Sequence, residues 1–506
     1  MKKLSFYVMA LAFCVLLVGA VAVSSPIEAG AFDTVGSAYV DVHMGDYNMV
    51  GLLTTSTNPS EPGGDAKAEY WTVSQDGNVT AYEGEEVPDS SSSYMHIDKS
   101  EDGSTIVLTL HNVAPTECSY FRIETGNVYN VELVLEGENI LRGDYTYESD
   151  AALQARNFGL PYDAPAPSLT ISGSGTLTCY GADIVVKSEE SGRIDEKMTR
   201  ASGDEENYLS YGIYAEGDFT VKAGATVTGI GGDIDVEEAD MAESHGVYAE
   251  GGVTVKGTLI AEGGNVLTED AGYVYSSGIY DKGGFATQGN ASVTTEGGSA
   301  KISSGDAVVA SSNSVGIFAH DNFSIAAGST VKATGGAAEA YTEDTTSLIV
   351  SSCGIETSAD EAVINGRVEA AGGTAKGSNS NPITCRSYGF FISQFSIEGT
   401  DEDEVPELTV NGTLDATAAD TEAAATGERG DAEAYSYAVY VLGDVIIGDN
   451  AVVTATGGRA DSTAEQRGAY AESAGIYVFN SDNFTVGKGA SVTAKGGDVT
   501  GDGDGN

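Results

Sequence analysis

A unit that opens on Gly-Ile-Tyr and closes about 20 residues later on Gly-Gly returns eight times between Tyr211 and Gly497. The copies begin at Gly212, Gly246, Gly278, Gly316, Gly354, Gly389, Ala438 and Gly475, and seven of them close on paired glycines such as Gly231-Gly232 and Gly496-Gly497. Self-similarity at a near-constant period marks an array of stacked supersecondary units, and it constrains the fold before any single residue has a task.

Within a copy the hydrophobic period is two. In the first, Ile213, Ala215, Phe219, Val221 and Val227 alternate with Tyr214, Thr220, Lys222, Thr226 and Thr228, which is the pattern of half-buried strands and predicts three strands per unit. Four residues before the closing pair stand Val227, Leu259, Val293, Val331, Val368, Val453 and Val492, and the copy without a glycine pair supplies Leu414 in the same frame. A unit this short cannot bury its own apolar face, so successive units must stack and share a core. The expected fold class is all-β: a right-handed parallel β-helix, a solenoid with about eight regular coils after irregular N-terminal coils. Helical solenoids are excluded by the missing 3.6 period and the Gly, Thr and Val content. A β-propeller would need four strands per blade and antiparallel hairpin signals, which are missing.

The chain opens like a secretory signal: Lys2-Lys3, an apolar run from Leu4 to Val23, then Ala29-Gly30-Ala31 as a cleavage site, making 1–31 the signal peptide. An uncleaved anchor is the alternative, the run being long enough to span a bilayer. No later stretch approaches that length, so no membrane contact is expected after signal removal. The formal net charge is −52, and cleavage would make it −53. Such a charge opposes nucleic acid and anionic membranes as partners and suits a solvated extracellular surface that attracts divalent cations. Secreted or cell-surface localisation follows. Of the cysteines left after cleavage, Cys118 and Cys179 match no zinc spacing, while Cys353 and Cys385 lie near each other in adjacent copies without aligning, either as a disulfide or as free, partly buried thiols.

Residues 32–70, rich in Gly, Ser, Pro and Asp, read as a flexible leader or N-terminal cap. Irregular first coils are expected over 71–187 and regular repeats over 188–497, with an acidic tail at 498–506. Between each Gly-Gly and the next Gly-Ile-Tyr lies an insert of about 13 to 17 residues, longer in one copy and rich in Ala, Ser, Asp, Glu and Tyr. These inserts occupy one place in the coil and project from one side, either as a binding face or as drift at a tolerant turn.

The runs Val131-Glu-Leu-Val-Leu-Glu-Gly-Glu-Asn-Ile140 and Leu169-Thr-Ile-Ser-Gly-Ser-Gly-Thr-Leu177, with the iterated Gly-Ile-Tyr-Ala-x-Gly-Asp-Phe-Thr-Val, resemble the carbohydrate-binding-domain proteins of anaerobic Firmicutes. The resemblance covers roughly Trp71 to Gly497. It implies a pectate-lyase-like fold and polysaccharide binding with calcium, without lyase activity, and it transfers no ligand residue.

Catalytic patterns are sparse. The Asn-Thr-Asp and Gly-His-Gly contexts of polygalacturonase-type hydrolases do not occur. A lyase base would have to come from few cations, Lys222, Lys256, Lys332 and Arg367, all at positions expected to face solvent. His43, His96, His111, His245 and His320 stand singly, with no zinc spacing and no support for a Ser-His-Asp triad.

One column is more suggestive. The third residue of each copy is Tyr214, Tyr248, Tyr280, Phe318, Glu356, Phe391, Tyr440 and Tyr477, and alternation puts these opposite the core. Exposed aromatics there would stack on the apolar faces of sugar rings; alternatively they stabilise adjacent coils. Calcium has oxygen-rich candidates in Asp233, Asp235, Glu237, Glu238 and Asp240 of one insert and in Asp401, Asp403 and Glu404 of another, with a solvated acidic loop as the alternative. The segment from Asp498 to Asp504 is similar to the opening of an EF-hand or dockerin loop but lacks its later glutamate and its helices, and reads better as the start of a further insert. With no polar cap after it, the chain is expected to continue, and cell-wall association would lie in that missing C-terminal region. The leading expectation is a non-catalytic polysaccharide-binding protein, calcium-assisted where the glycan is a polyuronate, with neutral plant glycans favoured because the acidic chain repels polyanions. A structural stalk or adhesin contacting protein is the second reading and a calcium-dependent polysaccharide lyase the third.

Overall fold

The computed structural model describes residues 39–44, 48–54, 70–84, 87–100, 105–118, 121–126, 130–143, 151–156, 166–186, 207–304, 309–343, 345–393, 405–481 and 483–503. The signal segment 1–31 lies outside the described residues, as do Asp401, Asp403, Glu404 and Asp504. Gly36 to Asn506 form one compact unit. Its described residues are all-β, and no helix among them is long and apolar enough to cross a membrane.

The first strands differ from expectation. Tyr39–Met44 and Asn48–Thr54 pair antiparallel inside the stretch read as a flexible leader or N-terminal cap, because Val40, Val42, Val50 and Leu52 give β-formers to a segment whose overall composition hides them. Tyr70–Val73, Val79–Ala81, Tyr94–Lys99 and Thr105–His111 are also joined antiparallel rather than as coils, since the short connections among them can join only antiparallel neighbours. Parallel stacking begins where Thr105–His111 meets Asn130–Glu136, and it continues through every later repeat.

The predicted inward column is in register: Val227 pairs with Leu259, then come Val293, Val331, Val368, Leu414, Val453 and Val492. Apart from Val492, which is exposed, it joins Ile213, Ala215, Phe219, Val221 and their counterparts in one apolar core. Phe323 is enclosed there, with ring centroids 5.6 Å from both Phe285 and Phe390. Truncating it leaves a cavity that neighbours cannot collapse into, so Phe323→Ala is expected to cost about 3–5 kcal/mol, read as a lowered denaturant midpoint.

The inserts are strands. After Gly231-Gly232 the chain runs on as Ile234–Ala249, and after Gly372-Gly373 it leaves as Ala375–Asn379 and returns as Ile383–Ile392. Outgoing and returning strands stack repeat on repeat and enclose a second core of Ile234, Val236, Val266, Ala300, Ala338, Ala375, Ala423, Ala434 and their neighbours. The alanine content of the inserts therefore has a packing cause, since methyl groups let the two layers approach closely. Each repeat is two lobes joined at a neck. The final segment belongs to the same scheme: Val499–Gly503 pairs with Ala460–Ala464 as an outgoing strand, not as a tail or a calcium loop.

Candidate functional site

The glycine of Gly-Ile-Tyr sits mid-strand in Asn207–Ala215 and its counterparts, where a Cβ on Gly212 would lie 2.6 Å from the Gly246 carbonyl oxygen and 2.5 Å from the Ile230 nitrogen. Pairing steps over it: Tyr211 faces His245 and Ile213 faces Val247, with the glycine unpaired between. Alternation changes phase across that glycine, so the four residues Ser210 to Ile213 are all buried. Ser210 and Ile213 turn inward, while Tyr211 and Tyr214, three residues apart, converge on the outer side at 5.4 Å. Repeated along the stack, the bend makes a valley between the two lobes whose facing rings touch, Tyr437 and Tyr477 at 4.9 Å and Tyr388 and Tyr440 at 5.7 Å.

The predicted aromatic column is one wall of this valley. Tyr214, Tyr248, Tyr280, Phe318, Glu356, Phe391, Tyr440 and Tyr477 are in register, preceded by Glu124 and Gln154. The other wall comes from the returning strands and includes Tyr273, Tyr275, Arg386, Tyr388, Glu433, Tyr435, Tyr437, Tyr470 and Glu472. Sequence reasoning missed this wall because it treated the inserts as loops.

Stacking is within the protein. The Tyr248 and Tyr280 rings lie 5.2 Å apart at 3°, Tyr280 and Phe318 4.7 Å apart at 19°, Tyr440 and Tyr477 5.4 Å apart at 10°. Ring faces are occupied by neighbouring rings, so the column offers edges and hydroxyls to the valley rather than a platform of free faces. Tyr248 is only 8 % exposed, whereas Tyr470 on the opposite wall is 51 % exposed. Burial raises the hydroxyl pKa of Tyr248, Tyr280, Tyr388 and Tyr437, keeping them as neutral donors.

Two polar constellations interrupt the aromatics. His245 has Nδ1 2.7 Å from Ser277 Oγ and Nε2 3.3 Å from Glu243, a Ser-His-Glu chain assembled across adjacent repeats and invisible in the spacing. Both Ser277 and His245 are fully buried, so no substrate carbonyl reaches the hydroxyl; the chain orders the ring among Tyr211, Tyr248 and Tyr280. Glu356 stands in the column between Phe318 and Phe391, and burial pushes its carboxyl up to about 7 against the pull of Arg386.

The proposed calcium residues do not gather. Among the described residues no three His, Cys, Asp or Glu side chains are arranged to hold a metal. Asp235, Glu237, Glu238 and Asp240 are spread along strand Ile234–Ala249, and Asp233 Oδ1 accepts from the backbone and side-chain amides of Asn265 at 2.7 and 3.1 Å, fastening the next repeat's turn. Lys222 binds Glu132 at 2.7 Å, and Arg367 binds Glu369 and Asp415 at 2.8 and 2.9 Å. The four described cysteines are free; Cys353 pairs in register with Tyr388 at the valley, whereas Cys385 belongs to the second core.

Comparison with protein-family models, with curated proteins and with solved structures finds no match to this chain.

The valley is backed by a second repeated feature. Ser210, Ser244, Ser276, Ser314, Ser352, Ser387, Ser436 and Ser473 form one column, two residues before each copy's first residue. Ser244 Oγ donates to the Gly232 carbonyl at 2.8 Å and accepts from Gly264 N–H at 2.9 Å; Ser352 repeats this with Gly336 and Gly373, both at 2.7 Å. This latch holds the neck closed and fixes the angle between the valley walls.

Proposed function

We propose that the protein is a secreted or cell-surface, non-catalytic polysaccharide-binding protein, built as a right-handed parallel β-helix with about eight regular coils after irregular N-terminal ones. The observation that carries the binding reading is the bend at each Gly-Ile-Tyr, which turns two columns into one tyrosine-lined valley along the stack. Extended clefts of aromatic edges, hydroxyls and carboxylates suit a polyhydroxylated chain, apolar on its C–H faces and polar at its rim. A neutral plant glycan fits better than a polyuronate, because carboxylates Glu243, Glu433 and Glu472 stand on the wall. Right-handedness follows the general preference for parallel crossovers. One observation favours the stalk or adhesin reading: rings stacked on each other stiffen the array whether or not a ligand lies along them.

The test is retention on immobilised neutral plant glycans and pectate, with calcium and with chelator. Wild type is expected to be retained by at least one neutral glycan. Tyr435→Ser combined with Tyr470→Ser is expected to lower that retention at least tenfold with little change in thermal midpoint, because Tyr470 is more than half exposed. No retention under any condition sinks the binding reading in favour of the stalk. Retention only with calcium on pectate would replace the neutral ligand by a bridged polyanion.

A further inference from the structure

The valley is uneven along its length. On the returning-strand wall Tyr275 is followed in register by Asn313, Ser351 and Arg386, so two small residues lie between two large ones. Three strand spacings separate Tyr275 from Arg386, about 14 Å. On the opposite wall the same stretch holds Phe318, Glu356 and Phe391. The only carboxylate in the regular part of the aromatic column therefore faces the stretch where the other wall is lowest.

Hydrogen-bonding capacity collects there unused. Among the described residues Glu356 and Arg386 have no side-chain hydrogen bond and no ion pair within 4.0 Å, although the chain carries 76 carboxylate side chains. The Tyr275 hydroxyl is buried with no partner, and Glu356 is the largest influence raising its pKa after burial itself. Tyr388 lies close enough to feel both Arg386 and Glu356.

We infer that Glu356 and Arg386, on adjacent strands of the facing walls, form a subsite that grips adjacent hydroxyl groups of one neutral sugar ring. The inference rests on the glycan-binding reading and adds the residues that hold the ring. The mixture of groups selects the ligand class. Arginine only donates and a carboxylate accepts. A metal ion would meet Arg386, and an anion would meet Glu356 and Glu433. Neighbouring sugar hydroxyls, each donor and acceptor at once, satisfy both, and Phe318 and Phe391 flank them with apolar surface.

The test uses the full chain in native gels containing mixed-linkage β-glucan, xyloglucan or galactomannan. Glu356→Phe restores the aromatic column and removes a half-buried carboxyl, so it should raise the thermal midpoint while weakening retardation by the favoured glycan at least tenfold. Arg386→Met, which keeps the length of the side chain, is expected to give a similar loss and serves should the first variant fold poorly. Unchanged retardation in both variants overturns the subsite and leaves the glycan reading standing. Absence of retardation for wild type in every gel overturns the glycan reading, and the subsite with it.

Discussion

Gly336→Val is expected to break the array in two. Gly336 lies at the neck, where a Cβ would run into the carbonyl oxygens of Gly297 and Gly298 in the preceding repeat. Those atoms are backbone in a paired ladder, so a branched side chain is relieved only by moving the ladder itself. The same residue donates its N–H to Ser314 Oγ and accepts from Ser352 Oγ, both at 2.7 Å, so displacing it opens two links of the serine latch. The cost is expected to be about 3–5 kcal/mol, the range of core overpacking combined with lost buried hydrogen bonds. Because each repeat contacts only its neighbours, the damage should appear as two unfolding transitions where wild type shows one. Ser352→Ala leaves the space but strands the Gly336 carbonyl and the Gly373 N–H, and should cost about 1–3 kcal/mol without splitting the transition. Gly336→Ala should fall between, since Ala182 and Ala419 already occupy the equivalent place in other repeats. A single transition at the wild-type midpoint for Gly336→Val, followed by calorimetry, would show that the neck is not a stacking constraint.

That expectation changes what the paired glycines mean. A Gly-Gly at the end of a strand reads as a turn signal, yet neither Gly335 nor Gly336 has a positive φ. Their cause is close approach: the first glycine lies against a serine of the returning strand and the second on the neck of the repeat before. The serine column was legible, because Ser stands two residues before every copy's first residue. It has no chemical signature beyond recurrence, so a search for binding and catalytic residues passed over it.

The main coil was readable because period-two alternation over Ile213, Ala215, Phe219, Val221 and Val227 has one meaning in a parallel stack. The inserts resisted the same reading. Their inward residues are mostly alanine, which hydropathy patterning scarcely separates from the polar neighbours, and strands Ile234–Ala249 and Val266–Asp281 run 16 residues through a change of phase. The valley depends on that change. Alternation alone puts Tyr211 and Tyr214 on opposite faces, and only the unpaired glycine brings them together. Glu356 was visible in the column as an exception to aromaticity, but Arg386 gained meaning only when the inserts became a facing wall.

Asp281 carries the second large effect, and its sign runs against the usual behaviour of carboxylates. It occupies the inward column between Ala249 and Ala319, fully buried, with Gly283 N–H donating to Oδ1 at 2.9 Å and Val253 N–H to Oδ2 at 3.3 Å. Burial pushes its carboxyl up to about 8 from 3.8; the two N–H donors pull it down, and Asp321 and Asp218 push it further up. Between those values the folded chain holds a proton that the unfolded chain releases, so stability from this group is fully present below pH 3.8 and is lost as pH rises to about 8. At 1.36 kcal/mol per pH unit the loss across the window is of order 5 kcal/mol. Glu356, also raised, contributes a change of the same sign with a shorter window ending near 7. The isolating experiment is Asp281→Ala, which continues the alanines on either side. Near pH 4 the variant should be less stable than wild type by the lost acceptors, about 1–2 kcal/mol. Toward pH 9 the order should reverse, with the variant more stable and its denaturation midpoint less dependent on pH. A wild-type-minus-variant difference that stays constant from pH 4 to 9 would mean that Asp281 is ionised in the core throughout, held by its two backbone donors alone.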